Sequence, residues 1–279
     1  MSEIKKIKTQ RLLIYIFFIL LTFLSIAPFW IVIVNATRST EQIQQGFSLI
    51  PGSSLINNWT FLRGRGFNIF QGYGNSFIIA AGSTILSMYF SSLTAYAITV
   101  YDFKGKKLVT GLILFLIMMP PQVNIIGFYR FMSELNLLNS YIPLIIPAIA
   151  SAPNVFFMKQ YLDTIYEPAY LDSARIEGAG EFKIFHRIIL PQMKPAIATM
   201  SIFAFVQSWN NFLMPLILIN DKNKYTLPML VQLLTTDTYR TEYGAMYLGL
   251  GLAIIPLIII YLALSKQIVG GVTAGGIKG

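Results

Sequence analysis

Six stretches of this chain are long and apolar enough to cross a lipid bilayer, and that leaves few folds open to it. They cover about residues 12–34, 73–100, 108–129, 140–160, 196–219 and 243–264. A hydrocarbon core about 30 Å thick is crossed by about 20 residues of helix, each rising about 1.5 Å. The expected fold is an all-α membrane protein of six transmembrane helices. Only 12% of the residues are charged, about half the share usual in soluble domains. The first run follows Lys5, Lys6, Lys8 and Arg11. It is about twice as long as the apolar core of a signal peptide and has no small-residue cleavage site, so it reads as the first span. There is no cysteine, which excludes disulfides, thiolate metal sites and cysteine nucleophiles.

Polar segments divide the runs. Residues 1–11 form a basic N-terminus, 12–266 a six-span domain with long loops at 163–195 and 220–242, and 267–279 a glycine-rich tail. The N-terminus, the 101–107 turn, the 159–195 region and the tail with the preceding Lys266 together hold 14 Lys and Arg, while the opposite loops hold 7. The positive-inside rule then places both termini and the 163–195 loop in the cytoplasm. The net charge of +9 is accounted for by this topology. Its basic residues flank apolar runs instead of forming a patch, so no nucleic-acid partner is expected. Span two is rich in small hydroxyl residues (Ser83, Thr84, Ser87, Ser91, Ser92 and Thr94), which suit close helix packing in lipid. Pro120-Pro121 interrupts span three.

The 163–195 loop carries five of the chain's 12 acidic residues: Asp163, Glu167, Asp172, Glu177 and Glu181. It reads as two short helices. Glu167-Pro168 opens the first, and Gly178 and Gly180 end it. From Glu181 on, Phe182, Phe185 and Ile189 share a face at helical spacing, with Lys183 and Arg187 opposite; Pro191 and Pro195 close this piece. About ten residues cannot cross the hydrocarbon core, so this helix lies flat against something.

The triplets Asp172-Ser173-Ala174 and Glu177-Gly178-Ala179, followed by Leu190-Pro191, resemble the "EAA" loop of ABC importer permeases. Asp172, Ser173 and Glu177 stand where that pattern has Glu, Ala and Asp, with the acidic character kept at both acidic positions. The resemblance implies a cytoplasmic coupling helix between spans four and five that docks into a cleft of an ATPase subunit. Asp172 would pair there with a basic residue of the ATPase, and Gly178 would allow a sharp turn. The competing reading is an amphipathic helix on the membrane surface, which suits acidic residues poorly because anionic head groups attract basic segments.

Further stretches are similar to the carbohydrate branch of that family, the smaller membrane subunit of maltose-type importers. They are Ala95-Tyr96-Ala97 with Phe103-Lys104-Gly105-Lys106, Trp209-Asn210-Asn211-Phe212 with Pro215-Leu216, and the ending Gly271 to Gly279. The resemblance implies a permease subunit of an ATP-driven, binding-protein-dependent importer of sugars, oligosaccharides above all, in a bacterial inner membrane. Its partners would be a second homologous permease, two ATPase subunits and an extracytoplasmic sugar-binding protein. ATP and Mg would be held by the ATPase, and no cofactor or metal by this chain. The tail residues Gly275, Gly276 and Lys278 would contact the ATPase. Thr235, Thr236, Asp237 and Tyr239 of the outer loop would contact the binding protein; alternatively the loop is a short helix capping the pore mouth. The same architecture could serve another solute, such as a polyamine, phosphate or an amino-sugar.

Catalysis is not expected of this chain. It lacks G-x-x-x-x-G-K-[ST], and its single histidine, His186, reads as structural or interfacial among solvated polar neighbours. A passive channel would need no acidic docking loop, and an intramembrane enzyme would show paired carboxylates or histidines within its spans. Polar residues inside the spans remain to be placed: Gln122 and Asn124 in span three, and Gln207, Ser208, Trp209, Asn210 and Asn211 in span five. Lipid cannot satisfy them. They line a sugar pathway, or they make interhelical hydrogen bonds.

Overall fold

The computed structural model describes the backbone of residues 2–64, 67–234 and 242–276, with side chains for 11–64, 67–120, 122–234 and 242–263. Its regular elements are all helical. The first is α1 (Ser2–Ala36), followed by α2 (Thr40–Gln44), α3 (Leu55–Gly64) and the long α4 (Ile69–Val100). Next come α5 (Lys106–Met118), a 3₁₀ turn at Pro121–Asn124 and α6 (Ile125–Glu134). A third group is α7 (Ile142–Ile145), a 3₁₀ turn at Ile146–Ala150, and α8 (Ala152–Ile165). The loop region holds α9 (Pro168–Ile176), α10 (Glu181–Ile184), a π turn at Phe185–Ile189 and α11 (Leu190–Gln192). The remainder is α12 (Lys194–Trp209), α13 (Leu213–Leu218), α14 (Leu227–Leu233) and α15 (Tyr243–Gly276).

Four segments are long and apolar enough to cross a membrane: 11–36, 69–100, 142–165 and 243–263. Two more are bent pairs, 106–118 with 122–134 at 88° and 181–192 with 194–209 at 76°. The first bend falls at the double proline, where two successive N–H donors are missing. The second falls between Pro191 and Pro195. Glu181, Lys183 and Arg187 keep the first arm of that pair in the polar loop, and α12 is the arm that enters the apolar region. The expected span over 196–219 is not one helix, because α12 ends at Trp209 and α13 starts at Leu213. In the glycine-rich tail, the backbone of 267–276 continues α15 as helix to Gly276.

The chain forms two compact units, Met1–Asn68 with Leu230–Ile255, and Ile69–Met229 with Pro256–Gly279. In the first, the buried guanidinium of Arg38 donates to Asn35 Oδ1 (3.2 Å) and to the carbonyls of Gln42 and Gly46. Asn58 Nδ2 donates to the carbonyls of Ala36 (2.8 Å) and Arg38 (3.0 Å). Gly244 packs so tightly here that a Cβ would lie 2.3 Å from the Arg38 carbonyl oxygen.

The second unit is built around α4, which packs against α8, α12 and the 146–150 turn. The small hydroxyl residues of the sequence form its buried side: Ser83, Thr84, Ser87, Ser91 and Ser92. Ser83 Oγ donates to Ser208 Oγ (2.9 Å), and Asn154 Nδ2 donates to Ser87 Oγ (2.7 Å). Small side chains allow the close approach that van der Waals association in lipid requires. Towards one end of α4 the packing becomes a core of Tyr96, Met158, Leu162, Leu171, Phe185 and Met193. That core seats the 163–195 loop.

Candidate docking site

The first short helix of the loop is α9, opened by Pro168 as the sequence predicts. It buries only Leu171, which enters the core around Met158 and Phe185. Its other residues are half-buried or exposed, and Ile176 is 87% exposed. Tyr170 and the neighbouring Phe182 are exposed as well. This polar loop thus leaves three large apolar side chains uncovered within the chain.

Gly178 ends α9 in a Schellman arrangement. Its φ is +80°, its N–H donates to the Arg175 carbonyl (2.9 Å), and the Ala179 N–H donates to the Ala174 carbonyl (2.9 Å). These bonds satisfy two carbonyls that the helix end would leave open. Ala174 and Ala179 both pack against the core, supplying the apolar contact that accompanies the motif. The sharp turn expected at Gly178 is therefore present.

A carboxylate ties this turn to α4. Glu181 Oε2 accepts from the Tyr96 hydroxyl (2.7 Å) and from the Tyr101 hydroxyl, and Glu181 Oε1 accepts from Arg175 Nε (2.8 Å). Arg175 Nη1 also reaches Asp172 Oδ1 at 3.2 Å. Arg175 first, then the tyrosine hydroxyls, hold the Glu181 carboxyl down at about 2, and Glu181 in turn pushes Arg175 further up. Burial, then Glu181, pushes the Tyr101 hydroxyl up. Asp172, expected to await a basic residue of a partner, thus already has one within the chain. Sequence reasoning missed Glu181, Tyr96 and Tyr101 as a group, because only the fold brings positions so far apart together. Ser173 Oγ bonds back to the Ala169 carbonyl (2.8 Å), and Glu177 is the C-cap of α9.

The second short helix differs from expectation. Its buried face is Ile184, Phe185 and Ile189, while Phe182 is exposed. A π turn at 185–189 adds a residue to one turn and rotates the face away from the regular helical count. Pro191 does not end the segment, which passes through α11 to the bend before α12. Leu190 lies against the core. His186 is not in solvated polar surroundings. Its ring lies 4.2 Å from Phe182 and 5.0 Å from Phe185, Nδ1 is 2.8 Å from the Phe182 carbonyl, and Nε2 is 3.2 Å from the Tyr89 hydroxyl.

The polar residues placed in the spans separate into two groups. Trp209 is 3% exposed and stacks on Phe205 at 5.7 Å, so it is a core residue and not an open wall. Ser208 bonds Ser83, an interhelical contact. Gln207 and Asn210 are exposed, as are Gln122 and Asn124 in the 3₁₀ turn after α5. Asn211 Oδ1 accepts from the Met214 N–H (3.3 Å) across the break between α12 and α13.

The 220–242 loop begins as an anchored structure. Asn75 Nδ2 donates to the carbonyls of Asn223 (3.0 Å) and Tyr225 (2.9 Å), and Ser76 Oγ accepts from the Leu227 N–H (2.8 Å). Leu227, Met229, Leu230 and Val231 of α14 are buried. The binding-protein contacts read from the sequence, Thr235, Thr236, Asp237 and Tyr239, lie outside the described residues. So does Lys278 of the tail, while Gly275 and Gly276 belong to the backbone of α15. Among the described residues no three His, Asp or Glu side chains could hold a metal ion together.

Residues 87–273 match the family described as "Binding-protein-dependent transport system inner membrane component". The arabinooligosaccharides transport system permease protein AraQ of Bacillus subtilis is 36% identical, with 96% of each chain covered. The lactose transport system permease protein LacG of Rhizobium radiobacter is 30% identical, with 93% of each chain covered. The sn-glycerol-3-phosphate transport system permease protein UgpE of Yersinia pestis is also 30% identical, covering 92% of this chain and 94% of its own. Among solved structures, a bacterial ABC transporter involved in the import of the acidic polysaccharide alginate has a chain that superposes with a TM-score of 0.78 at 19% identity. That match covers 93% of this chain and 96% of the other.

Proposed function

The chain belongs to the binding-protein-dependent transport inner membrane components, the permease subunits of ABC importers, and we propose that its cargo is a sugar, an oligosaccharide above all. It is a multi-pass membrane subunit and not an enzyme, since ATP hydrolysis in this family lies on separate subunits. The observation that carries the permease role is α9, a short helix that buries Leu171 alone and leaves Tyr170 and Ile176 exposed for docking. The names of the arabinooligosaccharide and lactose relatives support the sugar.

In this proposal Asp172, Ser173, Ala174, Glu177, Gly178 and Ala179 form the element that enters a cleft of the ATPase, backed by Leu190 and Pro191. Both termini and this element face the cytoplasm, and ATP and Mg stay on the two ATPase subunits. A second permease completes the pathway, with Gln122, Asn124, Gln207, Asn210 and Asn211 along it. An external binding protein meets residues 235–239, and the tail at Gly275, Gly276 and Lys278 meets the ATPase. Closure of the ATPase pair pushes the docking elements together and biases the pore between inward-facing and outward-facing states.

Co-purification of the ATPase subunit with the wild-type chain, and its loss on Tyr170→Asp with Ile176→Asp, is the expected result. Retention of the ATPase by that double variant would refute the docking role. Uptake assays with labelled arabino-oligosaccharide, lactose and sn-glycerol 3-phosphate identify the cargo. The glycerol-phosphate relative gives the second reading, and uptake of that compound alone would establish it over a sugar.

A further inference from the structure

We propose that the hollow beside α5 is a binding site for one anionic phospholipid, a role that extends beyond the transport function. The hollow has a volume of about 720 Å³ and lies between the 102–107 turn, α5 and Lys159 of α8. Lys106, Lys107 and Lys159 line it, and Lys104 stands in the same turn. Two carboxylates lie close by. Asp102 is 3.9 Å from Lys106, and Asp163 is paired with Lys159. Four lysines against two aspartates leave the region positive.

The other wall is apolar. Lys107, Gly111 and Leu114 follow one another at spacings of four and three, so they share a face of α5 over about 10 Å. Phe103 and Leu114 are 42% and 45% exposed, and a Cβ added to Gly111 would meet nothing within 4 Å. None of the residues of α5 is buried. The hollow is thus cationic at the helix start and becomes an open apolar furrow along the helix. A phosphodiester with an acyl chain matches that sequence of surfaces. Free phosphate would engage the lysines and leave the furrow empty, and so would an acidic protein segment. Basic groups at a membrane surface strengthen attraction to anionic lipid by about fivefold each. Placing the lipid in the cytoplasmic leaflet rests on the orientation proposed above.

The test uses the assembled transporter in nanodiscs of phosphatidylcholine with a minor share of phosphatidylglycerol carrying a photoreactive acyl chain. Cross-links from phosphatidylglycerol to residues 107–114 are expected, with few from the matching phosphatidylcholine probe. Lys106→Gln with Lys107→Gln should lower labelling by about 25-fold, and Lys107→Arg should leave it intact. Gly111→Leu should block the furrow and remove the acyl cross-link while assembly with the partner subunits is kept. Equal labelling by both lipids, or labelling indifferent to these variants, would overturn the proposal. A photoreactive residue at position 111 that cross-links to a partner protein instead of lipid would overturn it too. Nanodiscs expose both leaflets, so a positive result stands even with the orientation reversed; thiol labelling of Ile176→Cys in intact cells decides the orientation separately.

Discussion

Replacing Glu181 with Gln should loosen α9 from α4 without dismantling the unit. The carboxylate accepts from Tyr96, Tyr101 and Arg175, and an amide of the same size can neither accept from all three nor pair with the guanidinium. The native carboxyl is held at about 2 instead of the ordinary 4.5. Taken directly, that difference is worth about 3 kcal/mol. The side chain is 45% exposed, and solvent screening brings the figure down to about 1–1.5 kcal/mol. Local opening of α9 should then be about tenfold more frequent, read as faster amide hydrogen exchange at Leu171–Ile176. The pH dependence has a definite sign. A carboxyl whose folded value is depressed contributes fully above about pH 4.5, and the contribution is lost as pH falls towards 2. Thermal unfolding of the purified subunit between pH 5 and pH 3 should show a component that the Gln variant lacks. Identical exchange in α9, or the same acid sensitivity in both proteins, would refute the reasoning.

Other outcomes follow from the same structure. Gly178→Ala should cost about 1–2 kcal/mol through its left-handed backbone alone, since no atom lies within 4 Å of the added Cβ; substrate-stimulated ATPase activity should fall while membrane insertion persists. Gly244→Ala should destabilise the chain by about 2 kcal/mol or more through overpacking, seen as a lower melting temperature, whereas Gly74→Ala in open space within α4 should be neutral or mildly stabilising. Cysteines at Ile176 and Lys222, both exposed, should label from opposite sides of intact cells with an impermeant thiol reagent, position 222 reacting and position 176 protected.

The helical class and most span positions were legible in the sequence, because the length of an apolar run reflects bilayer thickness and owes little to tertiary detail. The hydroxyl side of α4 was legible for the same reason, since Ser83, Ser87 and Ser91 repeat at helical spacing. The turn at Gly178 could be read from glycine chemistry. What could not be read depends on local departures from the regular helix or on distant partners. The π turn at 185–189 exchanged Phe182 for Ile184 on the buried face. Trp209 looked like part of a polar cluster because Gln207, Asn210 and Asn211 surround it in sequence, yet its ring stacks on Phe205 in the core. The carboxylate of Glu181 meets tyrosines 85 and 80 residues away, and no spacing rule connects them.

The length of α4 has a consequence for the 220–242 loop. Its 32 residues span about 48 Å, and even a tilt of 40° lets a 30 Å hydrocarbon core hold only about 39 Å of helix. About six residues must stand clear of the lipid. The apolar stretch of α4 begins after Asn75 and Ser76, so the surplus falls at its first turns and ends just before the two residues that grip Asn223, Tyr225 and Leu227. The helix is thus a pedestal. It fixes the start of the 220–242 loop at the rim of the apolar region, at a height set by the length of α4 and not by the loop itself.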